Sequence, residues 1–284
     1  MKHTLFIAAT LLCVAQYISA QKLYVRAGIG YNLALSESYA QDQVTTATGG
    51  AISANFAGVN LAKGAAPVLA LGYMLNSHVG LELAGGYILG SDNPYNTTVT
   101  LSGNPVVSAK TVTSARLFTL TPSLRLQTTN ASGKAGLYTR FSVIVPVTGY
   151  AQNDVQRTDV TAAGTRSTVI QTKTTGTPTL GLGGALGGEF NISSKLFVWG
   201  EVNAQALRIW SKKTTYEVYD VNGTSALAGL KTYEKEISHV KSLSSSSNNA
   251  AYNTGYSTDK PKEDALREAN FDAFGIGIGI GYRF

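Results

Sequence analysis

Histidine is the side chain best suited to acid–base or nucleophilic catalysis near neutral pH, and the chain contains three. His3 and the single cysteine, Cys13, lie in the first 20 residues. His78 and His239 have no Ser or Asp partner in an arrangement from which a nucleophile could be activated. We therefore expect no enzymatic activity and no catalytic residues.

Glycine-rich loops can bind phosphate groups, and residues 181–187 have the composition of such a loop. That motif must connect a strand to the start of a helix, whereas here the alternation places the glycines inside a strand. A metal site would require clustered histidines or cysteines, and the sequence has none. The sequence therefore predicts no cofactor and no metal.

The amino terminus has the pattern of a secretory signal peptide. Lys2 and His3 precede an apolar stretch over residues 5–14, and Ala20 is a small residue suited to cleavage before Gln21. We expect residues 1–20 to be removed and residues 21–284 to form one domain. Because Cys13 lies in the removed segment, the mature chain would form no disulfide.

Most of the remaining sequence alternates with period two, which is typical of β-strands that have one apolar face. The last strand shows the pattern most clearly, because Ile276, Ile278 and Ile280 alternate with glycines. Eight segments follow this pattern: residues 23–33, 68–76, 79–90, 114–127, 135–148, 179–190, 196–209 and 273–284. Each segment is long enough to reach the roughly 9–11 residues that a tilted strand needs to cross a membrane.

The connections between these segments alternate strictly between long and short. Long connections at residues 35–67, 91–113, 149–178 and 210–270 take turns with short ones at 76–78, 128–134 and 191–195. This is typical of an all-β, antiparallel, up-and-down barrel in an outer membrane, with short periplasmic turns and four long extracellular loops. An even number of strands places both termini in the periplasm. Ten strands is the alternative, because residues 214–221 alternate and run into Asn222-Gly223, a strong hairpin signal.

The composition agrees with a strand-crossed membrane protein. Charged residues make up 14% of the 284 residues, against roughly 25% in soluble domains, and no stretch after residue 20 approaches the roughly 18 apolar residues of a membrane-spanning helix. The formal charge is +6, but residues 210–270 contain eight basic and eight acidic side chains. The longest loop is therefore neutral, which disfavours nucleic acid as a partner.

At its carboxyl end the chain resembles the outer-membrane β-barrels of Gram-negative bacteria. Phe284, with Tyr282 two residues earlier, is similar to the assembly signal read by their barrel assembly machinery. Residues 116–125, 188–190 and 197–201 are also similar to small OmpA-like, porin-family barrels. The resemblance covers residues 21–284 and implies an outer-membrane location. It implies little about activity, because that family includes anchors, adhesins and narrow pores.

Strand parity places a set of charged side chains inside the barrel. The set is Arg26, Glu82, Arg125, Arg140, Glu189, Glu201 and Arg283. An eight-stranded barrel is just wide enough for side chains to fill it, and buried charges persist when they are paired. We expect a filled polar core, with a narrow conduit switched by Glu82, Glu201 and Arg140 as the alternative.

Basic residues collect near the predicted outer ends of the strands, and five of them are candidates for a lipopolysaccharide rim. They are Lys110, Arg116, Arg208, Lys212 and Lys213. Arg and Lys bind phosphate well, and lipopolysaccharide carries phosphate in its head group. The alternative is an ordinary solvated rim.

Two functions remain in competition on these grounds. The first is a monomeric structural barrel that stabilises the outer membrane and presents its loops to a surface ligand. The second is a narrow porin-like channel for small solutes or ions. Long loops favour the first function, because binding residues are concentrated in loops.

Overall fold

The computed structural model describes residues 22–46, 52–101, 104–129, 134–177 and 179–284. The predicted signal peptide, residues 1–20, lies outside the described residues. The described part of the chain is all-β, with one short α-helix, α1 (Thr232–Lys235), and a 3-10 helix at Leu227–Gly229. None of the helices in the described ranges is long and apolar enough to cross a membrane.

Seventeen strands are present in the described residues. In chain order they are β1 (Leu23–Ala34), β2 (Ser38–Thr46), β3 (Ile52–Val59), β4 (Gly64–Met74), β5 (Val79–Gly90), β6 (Asn93–Leu101), β7 (Asn104–Thr129), β8 (Ala135–Thr161), β9 (Gly164–Gly176), β10 (Gly181–Asn191), β11 (Leu196–Ala206), β12 (Arg208–Val221), β13 (Thr224–Ser225), β14 (Glu236–Val240), β15 (Lys262–Ala265), β16 (Glu268–Asn270) and β17 (Ala273–Arg283).

Eight of these strands close into a ring of antiparallel pairs. Around the ring the order is β1, β4, β5, β7, β8, β10, β11 and β17, and β17 pairs back to β1. Each of the eight segments predicted from the alternation contributes one strand to this ring. A closed ring leaves no unpaired sheet edge, so the backbone hydrogen bonds of its eight strands are satisfied within the ring.

Above the ring, several strands form an outer sheet that the sequence pattern assigned to loops. β7 and β8 run on past the ring, and the order is β3, β2, β6, β7, β8, β9, β12, β14 and β15. The Asn222-Gly223 turn is present, with φ of 49° and 79°, but its return strand β13 has only two residues. β12 therefore joins β9 in the outer sheet instead of adding to the ring.

The outward face of the ring is a continuous apolar belt. Large apolar side chains are exposed on this face. They include Ile29, Leu69, Leu71, Leu81, Leu83, Leu124, Leu137, Phe141, Leu182, Leu186, Ile276, Ile278 and Ile280. Ile278 is 68% exposed. Apolar patches of this extent mark a surface that is covered by another apolar phase.

Inward glycines make room for aromatic rings from nearby strands of the ring. A Cβ at Gly28 of β1 would overlap the indole ring of Trp199, and one at Gly281 would overlap the phenyl ring of Phe197. Trp199 and Phe197 are both buried. The interior is thus filled by large side chains from some strands, packed on bare backbone from others.

We expect Gly28→Ala to lower the free energy of unfolding by about 1–3 kcal/mol, because the added methyl group overpacks the contact with Trp199. The measurement is urea unfolding in lipid vesicles. Gly200→Ala is the matched control, since the nearest atom to a Cβ there is the Gly277 carbonyl oxygen at 3.8 Å. Equal losses in the two variants would contradict this account of the glycine.

Candidate functional site

Inside the ring, all seven charged residues predicted from strand parity lie in one region. Six of the seven are buried or have nearly inaccessible side chains, and Arg283 is the most open, with 24% of its side chain exposed. The strands that carry them are β1, β5, β7, β8, β10, β11 and β17. Every ring strand except β4 therefore contributes one charge to the interior.

Four of these residues alternate in sign around a closed circuit. Arg26 Nη2 donates to Glu82 Oε1 at 2.9 Å, and Arg26 Nη1 donates to Glu201 Oε2 at 3.0 Å. Arg140 Nη1 donates to the same Glu82 oxygen at 3.0 Å, and its Nη2 donates to Glu201 Oε1. Each carboxylate is thus held by two guanidinium groups, and each guanidinium by two carboxylates.

The other three residues form a second cluster towards the end of the ring where the chain termini lie. Glu189 accepts hydrogen bonds from Arg125 Nη2 and Arg283 Nη2. Arg283 Nη1 also donates to Asn191 Oδ1 at 2.6 Å. The two clusters together contain four cations and three anions, so the core carries one net positive charge.

Two tyrosines connect these ion pairs. Tyr24 donates its hydroxyl proton to Glu82 Oε2 at 2.9 Å and accepts from Arg125 Nη1 at 3.5 Å, so it bridges the two clusters. Tyr138 donates to Glu201 Oε2 at 2.8 Å. Every carboxylate of the circuit therefore receives three or more hydrogen bonds, the condition under which buried charge is tolerated.

Aromatic faces cover the guanidinium planes. The Cζ atom of Arg26 lies 4.5 Å from the centroid of the Trp199 ring, and that of Arg125 lies 4.2 Å from the Tyr138 ring. Arg283 stacks on Phe197 at 4.2 Å. The sequence argument did not assign roles to Trp199 or Phe197, although both share inward parity with Glu201. Stacking on a ring stabilises a cation that is withdrawn from water.

Above the charges, the lumen contains a small cavity and then an apolar plug. The cavity has a volume of about 130 Å³ and is bordered by Arg140 and Glu201. The plug is a cluster of buried apolar side chains at the outer mouth: Val59, Leu61, Ala62, Ile88, Ala115, Leu117, Ile144, Leu207, Ile209, Phe271 and Ala273. Side chains therefore block the lumen at two separate levels.

A polar latch holds the plug in the mouth of the ring. Asn60 Oδ1 accepts from the backbone N–H groups of Ala62 and Lys63, and Asn60 Nδ2 donates to the backbone oxygens of Ser36 and Asp272. The Asp272 carboxylate accepts from Leu207 N at 2.8 Å. These residues lie on the connections of four consecutive ring strands, β11, β17, β1 and β4. The latch therefore ties the plug to that side of the ring through segments that are distant in sequence.

The five basic rim candidates do not lie together. Arg116, Arg208 and Lys212 are exposed near the upper edge of the apolar belt. Lys110 precedes Arg116 by six residues on β7 and lies further from the ring. At the rise of a strand this separation is about 20 Å. Lys213 Nζ lies 2.8 Å from Glu236 Oε2, and Arg208 lies 3.4 Å from Glu268 Oε1. Of the five, Arg116 and Lys212 lie near the belt and form no ion pair with another described residue.

The two histidines of residues 21–284 lie in different parts of the molecule, one in a short turn at the end of the ring where the chain termini lie and the other in the outer sheet. His78 is exposed in a short turn, and its Nδ1 is 2.8 Å from Ser77 Oγ. His239 lies in the outer sheet, with Nε2 at 2.9 Å from Thr214 Oγ1 and Nδ1 at 3.0 Å from Ala265 O. Within the described ranges no cluster of His, Cys, Asp or Glu could hold a metal ion.

Comparison with known proteins finds a likeness among solved structures. No family model matches the chain, and no curated protein matches it. Among solved structures, the chain is similar to the outer membrane protein OprG from Pseudomonas aeruginosa, with 11% sequence identity and a TM-score of 0.39. The match covers 93% of this chain and 96% of the other.

We expect Glu82→Ala to lower the free energy of unfolding by about 3–5 kcal/mol, because it leaves Arg26 and Arg140 buried with one carboxylate between them. The measurement is urea unfolding in lipid vesicles. Asp159→Ala is the control: it breaks the exposed Arg157–Asp159 pair, and such pairs contribute about 0–1 kcal/mol. Similar losses for the two variants would show that the circuit is not the stabilising element.

Proposed function

We propose that this chain is an outer-membrane β-barrel protein with a filled core, which acts as a structural barrel and presents its outer sheet to the surroundings. The apolar belt supports the membrane location, because a closed ring with an apolar outside and a polar inside is the arrangement that lipid requires of strands. On this proposal the eight ring strands cross the bilayer up and down.

The two ends of the ring support an orientation. Leu23 and Phe284 lie at the same end as the short turns between β4 and β5 and between β10 and β11, and Phe284 N donates to Leu23 O at 3.1 Å. The outer sheet and the plug lie at the opposite end. Since outer-membrane barrels have short periplasmic turns and long extracellular connections, we assign both termini to the periplasm.

The filled lumen is the observation that favours a structural role over a conduit. A continuous path would have to pass the Arg26–Glu82–Arg140–Glu201 circuit and then the plug with its Asn60 latch. Opening either level would expose buried charges without partners or bury a polar path among apolar side chains, and both changes are costly. We propose no enzymatic activity for the barrel.

The positions of Tyr282 and Phe284 support the proposal that the barrel assembly machinery inserts this chain. Tyr282 and Phe284 are both partly exposed on the outward face of β17, with ring centroids 5.3 Å apart. They lie at the periplasmic end in the proposed orientation. An insertion machinery working from the periplasm could therefore reach them before β17 pairs with β1.

We expect the purified protein to give no large, steady openings in planar lipid bilayers, because side chains fill the lumen at two levels. A general porin inserted under the same conditions is the positive control. Insertion of this chain is verified separately by its resistance to unfolding in unheated SDS gels. Large, steady openings from inserted protein would overturn the filled-core proposal in favour of the porin-like channel.

We further propose that Arg116 and Lys212 bind phosphate groups of lipopolysaccharide at the upper edge of the belt. The paired change Arg116→Gln with Lys212→Gln should lower the melting temperature in lipopolysaccharide-containing bilayers by about 6–12 °C and leave it unchanged in detergent. Each of the two charge-assisted hydrogen bonds contributes about 1.5 kcal/mol, and each kcal/mol shifts the Tm of a chain of this size by about 2–4 °C.

The control for the rim proposal is a pair of exposed lysines that lie away from the belt. Lys110→Gln with Lys241→Gln removes the same charge, and both side chains are exposed. If this pair lowers the melting temperature as much as the change at Arg116 and Lys212, the effect comes from net charge, and the proposed phosphate binding is wrong.

A further inference from the structure

A second and larger cavity lies above the plug, in the outer part of the molecule. Its volume is about 480 Å³, within the range of roughly 300–1,000 Å³ that small-molecule sites occupy. One side is formed by β8, β9 and β12, and the facing side by β14, β15 and β16. The ion circuit and the lower lumen do not border it, so it is separate from the site described above.

The floor of this outer cavity is apolar. Leu61, Leu117, Ile209 and Phe271 border it from below, and all four are buried members of the plug. A ligand that rests on this floor would remove apolar surface from water. The floor also closes the cavity towards the lumen, so a ligand would enter and leave from the outer side.

The side walls carry hydroxyl groups. Threonines of β9 and β12 face the cavity together with Tyr150 and Tyr216. Thr174 Oγ1 and Thr214 Oγ1 lie 2.8 Å apart, and Thr214 is in turn bonded to His239. The wall thus has a continuous line of neutral hydrogen-bonding groups above an apolar base.

The charges at the cavity cancel. Lys262 and Arg267 are balanced by Asp264 and Glu268, and Arg267 Nη2 donates to Asp264 Oδ2 at 3.1 Å. Burial opposes ionisation of Asp264, but the Ala265 backbone N–H and the Arg267 guanidinium outweigh it and hold the pKa of this carboxyl below its usual range. The formal charges of these four lining residues therefore sum to zero.

The wall formed by β14–β16 is held in place without a ligand. Ser211 N donates to Arg267 O, and Arg267 N donates to Ser211 Oγ, both at 2.8 Å. His239 binds Thr214 on β12 and Ala265 on β15. A cavity fixed in this way is preformed, which lowers the entropic cost of binding.

From these features we propose that the outer cavity binds an uncharged amphipathic small molecule. Its apolar end rests on Leu117, Ile209 and Phe271, and its hydroxyl or carbonyl groups bond to the threonine and tyrosine wall. A free sugar would leave hydroxyl groups unpaired against the floor, and a charged amphiphile would bring an ion to a neutral site; both are disfavoured.

The test is a titration of the protein in lipid nanodiscs, followed by NMR of isoleucine methyl groups. The probe is hexyl β-D-glucoside, and the comparison ligands are glucose, hexyl sulfate and hexyltrimethylammonium. We expect saturable shifts of Ile209 and Ile237, which border the cavity, with the neutral amphiphile alone. The lipid-facing Ile278 reports partition into the bilayer and should show no saturable shift.

Two variants fill the cavity independently. Ala151→Trp and Ala269→Trp both place an indole against the lining, and each should weaken binding of hexyl β-D-glucoside at least about tenfold by occupying the ligand volume. Ala206→Trp on the exposed face of β11 is the matched control and should bind like the parent protein. An unchanged Ile278 resonance identifies the variants that are folded.

Several results would overturn the proposal. They are the absence of a saturable shift with hexyl β-D-glucoside, equal binding of glucose or of either ionic amphiphile, and full binding in both folded tryptophan variants. Any of these results in an inserted, non-conducting barrel would remove the ligand site and leave the proposed structural role intact.

Discussion

The interior of a ring of eight strands is only wide enough for inward side chains to fill it. The packing of the rest of the structure depends on this narrow interior. Each large inward side chain needs a bare position opposite it. Trp199 lies over Gly28, and Phe197 lies over Gly281. Small residues also lie beside a buried arginine, since Arg26 has Gly281 and Ala70 as its cross-strand partners.

The same narrowness makes the charged core cooperative. Arg26 and Arg140 share both Glu82 and Glu201, so loss of one group leaves two others without full compensation in a region withdrawn from water. The apolar plug above closes the lumen with apolar side chains instead of ion pairs. Hydrogen bonds between backbone groups and the side chains of Asn60 and Asp272 hold it in place. On the proposed structural role, the side chains of the lower lumen serve stability, and the surfaces left for recognition are at the outer end.

The ring could be predicted from the sequence because an apolar outward face and a polar, filled interior enforce period two. The predicted segment 79–90 coincides with β5. The outer sheet could not, because β9 and the upper parts of β7 and β8 are polar on both faces and show no such contrast. Parity also identified the inward charges but not their pairing, which depends on the stagger between strands. The sequence analysis placed Lys110 and Arg116 together near the outer ends of the strands. Because β7 runs on past the ring, Lys110 instead lies about 20 Å from Arg116.

The outer region manages its charge differently from the lumen. Lys173 pairs with Glu217 at 3.6 Å, and Arg157 with Asp159 at 2.7 Å. Such exposed pairs contribute little to stability, but they leave the outer sheet with a nearly balanced surface. Electrostatic steering of an ionic partner requires an unbalanced patch. Recognition at this end must therefore depend on shape, on apolar contact and on neutral hydrogen-bonding groups, which are the properties that the outer cavity combines.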